Sequence, residues 1–130
     1  GLINALQRMR VDQKLIFIIA NLYRKTEFGV EIEGSTSEWT EQKTGIRQGC
    51  PLSPYLFLIV MTVMFHDVHK TTRTQLVTNR QPGATFDEVM YADDTICISP
   101  DTKTINIFIE EIEKVAKQYG LKLNYNNAKY

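Results

Sequence analysis

The sequence predicts an α+β fold, with helices packed on one face of an antiparallel sheet. Three observations carry that expectation. Ile105, Phe108, Ile109, Ile112, Val115, Ala116 and Tyr119 recur at helical spacing as one unbroken stripe. Phe28, Val30 and Ile32 alternate with Glu27, Glu31 and Glu33, the period of a half-exposed strand. Two further β-type runs, FDEVMY and TICIS, lie within residues 86–99 and read as a tight hairpin. With 130 residues, 43% hydrophobic and 23% charged, residues 1–130 form a single packed domain rather than two domains or a disordered chain.

Each element has its own local cause. Leu2, Ile3, Leu6 and Met9 follow helical spacing and define a short first helix. Asp12 is the expected N-cap of a second, whose apolar positions are Leu15, Ile16, Ile18, Ile19, Leu22 and Tyr23. The strand over 28–33 is expected to turn at Gly34-Ser35 into a polar partner strand around Trp39. Ser53 and Pro54 read as N-cap and first helical residue of a helix that is apolar nearly all round from Tyr55 to Phe65, hence buried on most faces. Thr71 to Gly83 is polar and reads as a loop. The second hairpin places Ala92, Asp93 and Asp94 at its tip. Asp101 or Thr102 caps the last helix, Gly120 supplies its stop, and Leu121 to Leu123 reads as a short final strand.

Charge excludes some functions and localises others. Fifteen basic and fifteen acidic residues cancel, which excludes a strongly basic nucleic-acid binder as a description of the whole chain. The charges are nevertheless polarised. Between Arg80 and Lys103 stand Asp87, Glu88, Asp93, Asp94 and Asp101 with no base, whereas Arg8, Arg10, Lys14, Arg24 and Lys25 outnumber Asp12 and Glu27 up to Val30. The longest apolar stretch, Leu56 to Phe65, reaches about half of a roughly 30 Å bilayer core as a helix, too short to span it. Two cysteines, Cys50 and Cys97, in apolar surroundings and without a visible secretory signal, point to reduced thiols in an intracellular protein.

Two segments carry chemistry. At Tyr91-Ala92-Asp93-Asp94, two adjacent carboxylates stand at the end of an apolar ribbon, a donor set suited to a hard divalent cation such as Mg²⁺, although most such dipeptides taken alone are solvated hairpin tips. Gly45 to Pro54, GIRQGCPLSP, places Arg47, Gln48 and Gly49 just ahead of a helix start, where glycine admits close approach and the helix terminus favours anions. It reads equally well as a glycine-rich connection into a buried helix. Other clusters read as structure: His66, Asp67 and His69 as a helix C-terminus, Glu31, Glu33, Glu38 and Glu41 as a solvated strand face, Trp39 as cross-hairpin packing, and Lys114, Lys117 and Lys122 as a solvated surface.

Together, GIRQGCPLSPYLF and the later YADD resemble the palm of reverse transcriptases of the non-LTR retrotransposon and group II intron kind. GLKLN (Gly120 to Asn124) resembles the block that follows in those enzymes, and the resemblance extends over essentially the whole chain. It implies a partial polymerase palm, an RRM-like antiparallel sheet with helices on one face, and RNA-directed DNA polymerase activity by two-metal phosphoryl transfer. By that resemblance Asp93 and Asp94 bind Mg²⁺ (or Mn²⁺), Tyr91 lies near the primer end, Gln48 and Gly49 shape the nucleotide and template pocket, and Arg47 meets phosphate. The implied partners are an RNA template, a DNA primer and dNTP, and the implied compartment is the nucleus for a eukaryotic retrotransposon. Asn127 stands where the family has a lysine, which makes Lys129 the candidate proton donor to pyrophosphate. The family's other catalytic aspartate lies on a strand expected ahead of the first helix, and no acid precedes Asp12. The chain therefore reads as a palm fragment lacking the first catalytic strand and inactive by itself. The alternative is a non-catalytic remnant that binds nucleic acid weakly or self-associates. The sheet edge beside the YADD hairpin would then be open to a second copy, giving a homo-oligomer.

Overall fold

The computed structural model describes residues 1–42, 45, 49–78, 88–91 and 94–125, with the side chains of residues 73–78 outside that description. In chain order the elements are α1 (Leu2–Arg8), α2 (Gln13–Leu22), β1 (Glu27–Phe28), β2 (Glu31–Ile32), β3 (Ser35–Thr36), β4 (Thr40–Glu41), α3 (Ser53–Thr78), β5 (Glu88–Tyr91), β6 (Asp94–Cys97) and α4 (Thr102–Gln118). The fold is α+β, as expected, but the described strands form three separate two-stranded antiparallel ladders, β1–β4, β2–β3 and β5–β6.

Helix α3 is the spine. Leu56 packs with Leu6, Ile16 and Ile19, which brings in α1 and α2. Met61, Met64, Phe65 and Val68 meet Phe108, Ile112, Val115 and Ala116 of α4, and Val60 and Val63 close over Ala5 of α1. Neighbours on both sides explain why this helix is apolar nearly all round. None of the described helices is long and apolar enough to cross a membrane.

Local chemistry sets the helix ends. Asp12 accepts the Lys14 N–H at 2.8 Å, the expected cap of α2. Asp101 accepts both the backbone N–H (2.7 Å) and the hydroxyl of Thr104, which holds its carboxyl below the usual range. At the far end of α4, Gly120 adopts φ +76°. Its N–H bonds the Lys117 carbonyl, while Leu121 N–H bonds that of Ala116. These two bonds satisfy carbonyls that the last turn would leave unpaired.

Four expectations need correction. Residues 71–78 are helical, not a loop: Thr71 and Thr72 turn their hydroxyls back onto the Val68 carbonyl at 2.8 Å, and no glycine or proline interrupts the helix before Pro82. Residues 79–83 lie outside the described residues. Ser53 does not cap α3 but begins it, its hydroxyl 3.0 Å from that of Tyr23, while Leu52 supplies the carbonyl for Leu56 N–H. In the first hairpin Ile32 pairs with Ser35, so the turn is Glu33-Gly34, both with positive φ (51° and 80°). All eight strand residues of that hairpin are exposed, so the alternation marks two faces without supplying a cover for either. Finally, residues 121–124 form no strand: Leu121 and Leu123 pack on the α3–α4 core and Lys122 points out, which satisfies the same period of two without a ladder.

Candidate functional site

The second hairpin forms where the sequence places it. Glu88 pairs with Cys97, Val89 with Ile96, Met90 with Thr95 and Tyr91 with Asp94. Two residues, Ala92 and Asp93, separate the strands; both lie outside the described residues. Asp94, expected in the turn, is instead the first residue of β6. Alternation sorts the ladder into two faces. Met90 and Cys97 pack against the α3–α4 core, with Glu88 and Thr95 beside them half-buried. Val89, Tyr91, Asp94 and Ile96 share the outer face, where Tyr91 is 82% and Ile96 65% exposed. An aromatic ring and a carboxylate therefore stand side by side at the tip of an open, otherwise apolar ribbon.

Of the other sequence-predicted residues, Gly49 is exposed with φ +80°, and a Cβ built there meets nothing within 4 Å. Arg47, Gln48 and Lys129 lie outside the described residues, as does Asn127. Tyr91 and Asp94 are thus the pair of site residues whose juxtaposition is seen. Among the described residues no three His, Cys, Asp or Glu side chains cluster to hold a metal ion. The chemistry at the tip is still that of hard oxygen donors, Asp94 with Asp93 next to it in sequence, which fits Mg²⁺ or Mn²⁺ completed by water and phosphate oxygens.

Neither Cys50 nor Cys97 is in a disulfide. Burial, with the nearby charge of Glu88, pushes the Cys97 thiol up to about 11, which makes it a poor nucleophile. Trp39 lies over its own hairpin, a ring carbon 3.7 Å from where a Cβ on Gly29 would stand, in keeping with cross-hairpin packing.

Two polar ties were not anticipated. Asp67 and His69 do not mark a helix C-terminus, because α3 runs on to Thr78. Asp67 instead accepts a bidentate pair from Arg8 of α1 (2.6 and 2.5 Å) and the Tyr119 hydroxyl at the end of α4 (2.5 Å). The Arg8 hydrogen bond, helped by Tyr119 and opposed by burial, holds the Asp67 carboxyl down at about 2. His69 Nε2 lies 3.0 and 2.9 Å from the two carboxylate oxygens of Glu88 on β5. The available signal was an acid two residues past a long apolar run: a charge on a buried helix needs a partner.

With this geometry in view, comparison with known proteins defines the class. The model of the reverse transcriptase (RNA-dependent DNA polymerase) family matches residues 1–129, and the chain belongs to that family. It is also 25% identical over 123 residues to the Retrovirus-related Pol polyprotein from type-1 retrotransposable element R2 of Nasonia vitripennis. That alignment takes in 95% of this chain and 12% of the relative's length.

Proposed function

We propose that these 130 residues are part of the palm of a retrotransposon-type reverse transcriptase, whose longer protein adds dNTPs to a DNA primer 3′-hydroxyl on an RNA template. The observation that carries this reading is the Tyr91–Asp94 pair at the hairpin tip, on the open face, in a chain of this family. The R2 relative favours the retrotransposon side of the sequence resemblance.

In this reading Asp93 and Asp94 hold Mg²⁺ or Mn²⁺. Such ions, when bound, activate the primer hydroxyl and stabilise the leaving pyrophosphate. Tyr91 offers an exposed ring for the primer end. Gln48 and Gly49 shape the nucleotide pocket, where the open space around Gly49 lets substrate approach the backbone. Arg47 binds phosphate and Lys129 donates a proton to pyrophosphate. In this reading the isolated chain is inactive: Asp12, the first acid in the sequence, follows α1 and is engaged in capping α2, so it does not complete the metal site. Among the described residues β5 and β6 pair only with each other, and such open ladder edges favour a homo-oligomer, which is also what a non-catalytic, self-associating module would show.

Primer extension on a defined RNA template tests the reading. The longer protein incorporates dNTPs with Mg²⁺, Asp93→Asn lowers that rate by at least about 100-fold, and the 130-residue chain alone incorporates none. Incorporation that survives Asp93→Asn would overturn the assignment of the tip as the metal site.

A further inference from the structure

Among the described residues, a directional link whose two ends are both constrained ties the hairpin that carries Tyr91 and Asp94 to the helices. Glu88 opens β5 opposite Cys97, three residues before Tyr91. At about 3.3 Å per residue, the tip pair stands about 10 Å beyond it. Both Glu88 carboxylate oxygens converge on His69 Nε2, at 3.0 and 2.9 Å. The two side chains are only 33% (His69) and 16% (Glu88) exposed. The imidazole is held from the other side as well, its ring centroid 5.8 Å from that of Phe108, which is buried in the α3–α4 core.

Met90 and Cys97 also attach the hairpin to that core. Apolar contact is non-directional and lets a two-stranded ribbon slide or tilt at little cost. A half-buried carboxylate whose two oxygens share one fixed N–H resists such tilting, because movement that breaks this bond leaves the carboxylate and the imidazole N–H without a partner. We infer that His69 is a positioning residue for the hairpin: through Glu88 it fixes where Tyr91 and Asp94 stand. This rests on the proposed reading of the tip only for its consequence in metal binding.

Amide hydrogen exchange by NMR on the 130-residue chain separates the possibilities. His69→Gln and Glu88→Gln each speed exchange of the β5–β6 ladder amides about tenfold or more. Amides of α3 and α4 around Phe108 keep their protection, and the double variant exchanges no faster than either single. His69→Lys, which places an N–H donor opposite Glu88 again, recovers ladder protection in the Glu88 background and not in Glu88→Gln. Mn²⁺ added alone broadens the Asp94 and Tyr91 resonances, and the variants raise the concentration needed for it. Ladder exchange unaffected by either substitution, additive losses in the double variant, or loosening spread through α3 and α4 would overturn the inference. Absence of Mn²⁺ broadening in the unsubstituted chain would count against the metal site alone, since the exchange series decides the role of His69 without it.

Discussion

Asp67 shows how one side chain can join three helices. Its carboxylate meets Arg8 at the end of α1 and the Tyr119 hydroxyl just past α4, from a position inside α3. A carboxyl held at about 2, against an ordinary 3.8, contributes stability that is complete above about pH 4 and is lost as pH falls through about 2. The Arg8 side chain is 37% exposed, so solvent screening reduces the contribution to about 1–2 kcal/mol. Asp67→Asn is therefore expected to lower unfolding free energy by that amount at pH 7 in urea titrations, and the gap to the unsubstituted chain should shrink below pH 4. Tyr91 is the opposite case. At 82% exposure it adds little to the core, so Tyr91→Ala should leave stability within about 0.5 kcal/mol. Primer use by the longer protein should still fall, as a primer-extension assay would show. A matching loss of stability would mean that the ring serves packing rather than a primer.

At the scale of elements, the turns and stops test most directly what the local sequence dictates. Gly120 has φ +76° and Gly34 φ +80°, and a Cβ at either would meet nothing within 4 Å. The cost of alanine there is purely conformational, about 1 kcal/mol at each site. Glu33 adopts φ 51° beside Gly34, a conformation that asparagine tolerates better, so Glu33→Asn should stabilise the first hairpin by about 0.5 kcal/mol. Both effects are measurable by thermal and urea unfolding. These same elements show what was legible. The α4 stripe, the Asp12 and Asp101 caps and the Gly120 stop depend on neighbours within a few residues, and each appears where the pattern placed it. The length of α3 and the loss of the final strand depend on distant partners: a helix already packed through Val68 propagates across threonines, and Leu121 and Leu123 find the core without a ladder. The ties Arg8–Asp67 and His69–Glu88 span 59 and 19 residues, and no local period reveals such pairs. In the site, the Tyr91–Asp94 tip follows from two short β-type runs around a brief turn, whereas which face is open depends on where α3 and α4 lie.

At the scale of the whole molecule, surface left without a cover becomes the deciding quantity. The outer face of β5–β6 presents Val89, Tyr91 and Ile96, and neither strand has a second partner among the described residues. Phe17, Ile18 and Leu22 of α2 add a further exposed apolar surface. Uncovered apolar area costs about 25 cal/mol per Å², and an open ladder edge offers unpaired N–H and C=O groups to another strand. The 130-residue chain should accordingly self-associate, with a sedimentation coefficient that rises with concentration in the micromolar range. Edge pairing and α2 docking respond differently to substitution. Ile96→Lys charges the outer face of the hairpin, where Ile96 is 65% exposed and carries little of the fold, and should weaken association by about tenfold if the hairpin is the contact. Phe17→Lys on α2 should then leave association unchanged. The reverse pattern would move the contact to α2, and a monomer at all concentrations would mean that neither surface pairs with itself. A hairpin face that dimerises in the isolated chain is one that, in the proposed polymerase, is free to receive the primer–template duplex instead. Addition of such a duplex should then compete with self-association through the hairpin, and would leave association through α2 untouched.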